Sequence, residues 1–136
     1  MPSVLFLCVA NSARSQLAEA IARTVVPGVE AWSAGSHPTH VRPQVHAVLS
    51  EAGMDSHGLR SKGIYEVPLD EMDLVVTLCA EERCPILPGK IPREAWPLPD
   101  PASAPDGEAL EAFRATRDEL MRRLPPLLKR LEEGMA

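Results

Sequence analysis

An apolar strand that ends in a cysteine and a turn is the feature that most constrains how this chain folds. Residues 4–7, Val-Leu-Phe-Leu, are apolar, and the segment from Cys8 to Ser15 leads directly into a stretch of helical periodicity. A continuous apolar run suits a strand covered on both faces of a parallel sheet. The segment therefore predicts a strand over Ser3–Cys8, a loop, and a helix over Ser15–Val25, the first unit of an α/β fold.

The rest of the chain continues the alternation of strands and helices. Gly35 stops the second strand, Pro43 opens the second helix and Gly53 caps it. In the last helix, Pro125 and Pro126 predict a kink or a restart. The elements predicted after the first helix are a strand over Val29–Ala34, a helix from Pro43 to Gly53, strands over Leu74–Leu78 and near Glu94–Leu98, and a helix after Gly107.

This order of elements predicts the fold class. We expect an α/β protein with a single small doubly wound, flavodoxin-like domain over residues 1–136, in which helices flank a four-stranded parallel sheet. Ligands of such sheets bind outside the carboxyl ends of the strands. Cys8 and Cys79 each follow a predicted strand, so we expect them to lie close together.

The loop after the first strand predicts an anion-binding site. Backbone N–H groups in such a turn point at one spot, with the positive end of the helix dipole behind them. Arg14 adds a planar guanidinium for two oxygens of a phosphate-like group, and the same field favours a nucleophilic thiolate at Cys8. Asn11 tolerates left-handed backbone, whereas an ordinary φ is expected at Ala10. The expected substrate-binding residues are Val9, Ala10, Asn11, Ser12, Ala13 and Arg14.

A purely structural role remains open for Cys8, because a free cysteine is often a small buried hydrophobic residue.

The composition of the chain limits the classes of partner that it can bind. The chain has 136 residues, three cysteines and a formal net charge of −5, with no basic stripe that would suit nucleic acid. No apolar run reaches the length of a membrane span, and no signal peptide is recognisable. We therefore expect a cytoplasmic protein with reactive thiols, and with no nucleic-acid or membrane partner.

The pattern Cys-x-x-Asn-x-x-Arg-Ser, from Cys8 to Ser15, resembles the low-molecular-weight protein tyrosine phosphatases and the thioredoxin-coupled arsenate reductases built on the same fold. Further stretches are similar to the reductases in order and wording. These stretches are Thr77–Cys79, Cys84–Pro88, Arg93–Trp96 and Asp100–Ala102. The resemblance covers about Val4 to Arg117 and favours the arsenate reductase branch.

The resemblance implies a reaction with arsenate as substrate and phosphate or sulfate as competing oxyanions. Arsenate docks in the loop under Arg14, Cys8 attacks arsenic, and Asp100 protonates the leaving oxygen. Ser15 is expected to hydrogen-bond the Cys8 sulfur and steady its thiolate. From residues alone, Asp100-Pro101 is better interpreted as a turn in a proline-rich loop.

The resemblance also implies a relay of thiols after the first attack. Cys79 attacks Cys8 and releases arsenite, and Cys84 then attacks Cys79. A thioredoxin-like partner reduces the resulting Cys79–Cys84 disulfide. The two cysteines could instead be structural, and they are too few for a closed zinc site.

A tyrosine phosphatase is the alternative function, and weak aryl phosphatase activity is expected in either case. That branch usually has an aromatic residue after its Asp-Pro pair, where this chain has Ala102 and Ser103. We expect no cofactor and no metal. Some reductases hold a potassium ion near residues that match Asn11 and Glu19, but the basic loop from Arg60 to Lys62 favours its absence here.

Overall fold

Four parallel strands form one sheet, in which the first strand lies in the interior. The strands are β1 (Ser3–Cys8), β2 (Glu30–Gly35), β3 (Leu74–Thr77) and β4 (Arg93–Ala95), and their spatial order is β2-β1-β3-β4. The computed structural model describes residues 1–80 and 89–134. Predictions for residues 81–88, including every role of Cys84, lie outside the described residues.

Three α-helices pack on one face of the sheet. They are α1 (Arg14–Val25), α2 (Pro43–Glu51) and α3 (Ala109–Glu132). Successive side chains of a strand point to opposite faces, so Val4 and Phe6 of β1 are buried in the core that these helices share. Leu5 and Leu7 are buried in a second, smaller core on the other face.

The second core is covered by a segment without α-helix. Two short 3₁₀-helices, Ile64–Glu66 and Leu69–Glu71, lie in this segment, and Val67 and Met72 contribute its buried side chains. Both faces of β1 are therefore covered. This explains why its sequence is continuously apolar and does not alternate between apolar and polar residues.

The strand order opens a crevice beside Cys8. The chain leaves β1 for β2 on one side of the sheet and comes back to β3 on the other side, with parallel pairing throughout. At such a reversal, the connections leave the carboxyl ends of the two strands in opposite directions. The predicted four-stranded parallel α/β fold is confirmed, and its ligand crevice lies at the carboxyl ends of β1 and β3.

The structure corrects one prediction and adjusts several boundaries. The helix α3 runs without interruption through Pro125 and Pro126, so the alternative of a restart is wrong. The prolines remove two backbone donors, but Leu124, Leu127 and Leu128 are buried and hold the helix against the core. β4 ends at Ala95 rather than near Leu98, although Trp96 N still donates to Thr77 O at 2.8 Å and Leu98 N to Leu78 O at 3.3 Å.

No helix within residues 1–80 or 89–134 is both long and apolar enough to cross a bilayer.

Candidate active site

Cys8 is the last residue of β1, and its thiol lies buried at the crevice. The residue is 2% exposed, and its Sγ is 2.8 Å from Oγ of Ser15, the second residue of α1. The contact predicted between these two residues is therefore present. The first turn of α1 holds no acidic residue, so no side-chain carboxylate there opposes the positive end of the helix dipole, which points towards the crevice.

The loop between β1 and α1 turns its backbone carbonyls outward. Four successive carbonyls accept hydrogen bonds from residues outside the loop: His37 N to Val9 O (2.9 Å), Thr39 N to Ala10 O (3.1 Å), Gln16 Nε2 to Asn11 O (3.0 Å) and Arg42 N to Ser12 O (3.0 Å). The C=O and N–H of a trans peptide point in opposite directions. The N–H groups of residues 10–13 therefore point inward, and no described residue accepts a hydrogen bond from them.

Asn11 gives the loop its turn and directs a hydrogen bond at the nucleophile. Its φ is +47°, and it is the only non-glycine residue with positive φ in the described part of the chain, so Ala10 has the ordinary φ that was predicted. Its Oδ1 accepts from the backbone N–H of Lys62 (2.7 Å) and from Gln16 Nε2 (2.9 Å). Its Nδ2 consequently donates to Ser15 Oγ at 2.7 Å.

The direction of the Ser15 hydroxyl follows from that amide. The Ser15 oxygen already accepts from Asn11, so the Ser15 hydrogen is available for the Cys8 sulfur 2.8 Å away. A donor aimed at sulfur stabilises the thiolate more than the thiol. The three side chains form one chain of donors that ends at the nucleophile.

Arg14 connects the loop to the two segments that follow β3 and β4. The residue is 4% exposed, and its Nη1 donates to Leu78 O at 3.3 Å and to Leu98 O at 3.1 Å. Those bonds fix the guanidinium at the mouth of the crevice. Arg14 also lines a cavity of about 200 Å³ together with Cys8, Val9, Ala10, Ser12, Ala13 and Asp100. The cavity brings the predicted nucleophile, most of the predicted anion-binding residues and the predicted acid together.

Asp100 caps the 3₁₀-helix Pro101–Ser103 at the edge of this cavity. Its Oδ1 accepts from the backbone N–H of Ala102 at 3.0 Å, and its Oδ2 accepts from Ser103 Oγ at 3.3 Å. The turn expected from the sequence and a place facing the anion loop are thus both present. A carboxyl group in this position can exchange a proton with an oxygen held in the cavity.

The pairing of β1 with β3 places Cys79 at the same edge of the sheet as Cys8. Leu7 of β1 pairs with Thr77 of β3, and Leu78 N donates to Leu7 O at 2.8 Å. Leu78 therefore lies beside Cys8, and Cys79 is one residue further on. Cys79 is 6% exposed.

A buried ion pair lies beneath the loop, in the place where the resemblance raised a potassium ion. Lys62 is 7% exposed, and its Nζ is 3.2 Å from Glu19 Oε1 and 2.9 Å from Arg60 O. Glu19 also pairs with Arg23 and accepts from Ser33 Oγ at 2.6 Å. Two side-chain cations already neutralise this carboxylate, so these residues do not fit a further cation. No group of His, Cys, Asp or Glu side chains suited to a metal occurs in the described ranges.

Sequence reasoning missed three residues that shape the site. Lys62 and Gln16 position the Asn11 amide, and Gly35 lies directly opposite Cys8 in the β1–β2 ladder. Gln16 carried a weak signal, because it is a polar residue on the buried face of a helix. Lys62 and Gly35 carried none, since their roles depend on segments that meet only in the folded chain.

Comparison with known proteins identifies the family of this chain. The pattern that defines the low molecular weight phosphotyrosine protein phosphatases matches residues 3–136. The chain belongs to this family. Within it, the chain is 36% identical over 121 residues to arsenate reductase 2 of Staphylococcus haemolyticus, covering 87% of this chain and 89% of the relative. It is 34% identical to the glutaredoxin arsenate reductase of Synechocystis, covering 96% and 99%.

Solved structures of arsenate reductases show the same fold. An arsenate reductase in the phosphate binding state superposes with a TM-score of 0.82 at 33% identity, over 96% of this chain and 98% of that one. A thioredoxin-dependent arsenate reductase of Corynebacterium glutamicum superposes with a TM-score of 0.76 at 30% identity, over 99% of this chain and 64% of that one.

Proposed function

We propose that this member of the phosphatase family is an arsenate reductase. The observation that carries the proposal is a second buried thiol, Cys79, which follows β3 at the same edge of the sheet as Cys8. A phosphatase reaction needs one thiol, whereas reduction of As(V) to As(III) needs two electrons and therefore a second sulfur. Similarity to proteins named arsenate reductases supports the same choice.

The first step is attack on an oxyanion held by the loop. The inward N–H groups of residues 10–13 and the Arg14 guanidinium bind three arsenate oxygens, while Ser15 steadies the Cys8 thiolate. Sulfur attacks arsenic and an As–O bond breaks. Asp100 protonates the departing oxygen, which leaves as water or hydroxide. The product is an arsenic(V) adduct on Cys8.

The second step carries the electrons. The Cys79 thiolate attacks the Cys8 sulfur, so that an S–S bond forms and the S–As bond breaks with its electron pair moving to arsenic. Two thiols are oxidised and arsenic is reduced by two electrons, which releases arsenite. The position of Cys79 after β3, at the same edge of the sheet as Cys8, supports this disulfide.

The last steps restore the thiols and rest on residues outside the described part of the chain. Cys84 attacks Cys79 and frees Cys8, and an external dithiol protein reduces the Cys79–Cys84 disulfide. We propose a thioredoxin-like reductant in the cytoplasm. The relatives differ here, since one is named for glutaredoxin and one is described as thioredoxin-dependent.

Phosphatase activity is the second candidate, and one cavity favours it. A space of about 620 Å³ lies on the other side of Asp100, with apolar walls that could hold the organic part of a phosphate ester. Its apolar lining comes from Leu98, Pro99, Pro101, Ala104, Ala112 and Ala115. An enzyme with both capacities would use Cys8, Arg14 and Asp100 in each.

Single-turnover mass spectrometry on cysteine variants tests the relay. Cys79→Ser should hydrolyse an aryl phosphate like the unsubstituted enzyme but release no arsenite, because only the second step needs Cys79. Cys84→Ser should release one arsenite and stop as a Cys8–Cys79 disulfide that neither thioredoxin nor glutaredoxin recycles at the normal rate. Cys8→Ser is the inactive control for both reactions. Unchanged arsenate turnover in Cys79→Ser and Cys84→Ser with either protein as donor would leave the phosphatase as the better assignment.

A further inference from the structure

Gly35 lies against the main chain of the anion loop with no room for a side chain. It ends β2 directly opposite Cys8, and its N–H donates to Lys62 O at 3.0 Å. A Cβ atom added there would lie 2.3 Å from Val9 O and 2.9 Å from Asn11 N. Both are backbone atoms, which cannot rotate away as a flexible side chain can. The φ of Gly35 is outside the left-handed region, so space alone requires glycine.

The segment that follows Gly35 wraps around the outside of the loop. Three of its N–H groups, at residues 37, 39 and 42, donate to three loop carbonyls. Ser61 strengthens the middle bond, because its Oγ accepts from Thr39 N at 3.0 Å and donates to Ala10 O at 3.1 Å. We call residues 35–42 the collar. The collar donates hydrogen bonds to the carbonyl groups of the loop peptides. The N–H groups of those same peptides form the anion receptor.

We propose that the collar sets the oxyanion affinity of the loop, and that Gly35 is the positioning residue on which this depends. The peptides of the loop are planar, so a carbonyl that is pushed away rotates the N–H on the opposite end of the same bond. A side chain at position 35 displaces the Val9 carbonyl and turns the Ala10 N–H away from the bound oxyanion. The receptor is thereby lost without any change in Cys8, Arg14 or Asp100.

The matched pair Gly35→Ala and Gly63→Ala tests the proposal. Gly63 forms a parallel bridge with Gly35, yet a Cβ there would meet nothing closer than 3.7 Å. Inorganic phosphate is titrated into each variant by calorimetry, and the melting temperature is recorded without ligand. We expect Gly35→Ala to bind phosphate about tenfold to a hundredfold more weakly, the loss of one or more hydrogen bonds to an anion, and Gly63→Ala to bind it normally.

Ser61→Ala provides a milder change if Gly35→Ala does not fold. It removes only the side-chain bridge between Thr39 and Ala10, and phosphate binding should weaken roughly threefold to tenfold with little change in melting temperature. Normal phosphate affinity in folded Gly35→Ala, or in Ser61→Ala when Gly35→Ala does not fold, overturns the proposal. Phosphate binding involves no turnover, so this result is independent of whether the enzyme reduces arsenate.

Discussion

At the scale of single residues, the position of one hydrogen atom decides how reactive the site is. The Asn11 amide is held from both sides, by the Lys62 N–H and by Gln16. It therefore presents its nitrogen to Ser15, whose hydroxyl hydrogen is directed at Cys8. The Cys8 sulfur therefore contacts a neutral hydroxyl that can donate a hydrogen bond to it.

Ser15→Ala should make Cys8 less reactive at neutral pH. A hydrogen bond to a charged group contributes about 1.5–3 kcal/mol, so we expect alkylation by iodoacetamide at pH 7 to slow by about tenfold or more. Ser36→Ala is the control, since Ser36 is exposed and its Oγ contacts only the His37 ring. Equal alkylation profiles for all three proteins would contradict the donor chain.

At the scale of elements, α2 and α3 are joined by a carboxylate between two arginines. Arg114 Nη2 lies 2.7 Å from Glu51 Oε2, and Arg117 Nη1 lies 3.0 Å from Glu51 Oε1. Arg117 also donates to Val48 O at 2.8 Å, near the end of α2. The hydrogen bond from Arg114, followed by that from Arg117, lowers the pKa of Glu51 from 4.5 to about 2.

The Glu51 contacts should stabilise the fold above about pH 4.5 and cease to do so as the pH falls towards 2. A carboxyl whose pKa is lower in the folded than in the unfolded protein contributes stability only while it is ionised. Glu51→Gln should therefore reduce the urea midpoint at pH 7, and the difference from the unsubstituted protein should shrink with acid. Glu71→Gln, at another exposed position, is the control. A difference that stays constant from pH 7 to pH 3 would be inconsistent with this assignment.

The elements were predictable where burial and local turns agree. The apolar runs at β1 and β3 and the Pro43 and Gly53 signals at α2 located their elements to within one or two residues. The collar and the 3₁₀ segment were not predictable, since backbone bonds to the loop and the cover of the second core have no local pattern. The two prolines of α3 led to the wrong prediction of a restart, because tertiary packing outweighed the loss of two backbone donors.

The candidate site was predictable to the extent that it lies in one stretch of chain. Residues 8–15 supply the nucleophile, the anion receptor and Arg14, so the motif contains them together. Cys79 and Asp100 required strand topology or resemblance to a family. Lys62 and Gly35 reach the loop from segments more than twenty residues away, and a lone lysine or glycine carries no sign of such a contact.

At the scale of the whole molecule, the site joins segments from most of the fold. The bonds of the loop reach the collar, residues 60–62, and the chain after β3 and β4. An anion bound there is held only by the folded chain. Binding should therefore stabilise the fold globally rather than the loop alone.

Phosphate should raise the melting temperature, and the rise should grow with the logarithm of the phosphate concentration above its Kd. At a hundred times its Kd a ligand adds about 2.7 kcal/mol, which corresponds to about 9 °C for a chain of this size. Cys8→Ser should show the same shift, because the receptor consists of backbone and Arg14. Sodium chloride at equal ionic strength is the control. A shift that chloride reproduces would indicate general screening in place of a specific site.

The receptor is made of main chain, and this has a consequence for how the protein can evolve. Every amino acid except proline carries the same N–H, so the ligand cannot distinguish one residue from another at the half-buried positions Val9 and Ala10. Those two positions are open to neutral drift. Selection on the loop acts instead on the residues that bend it or support it from behind, Asn11 and Gly35. Ancestry will therefore be recorded most faithfully at positions whose side chains support the loop and do not touch the substrate.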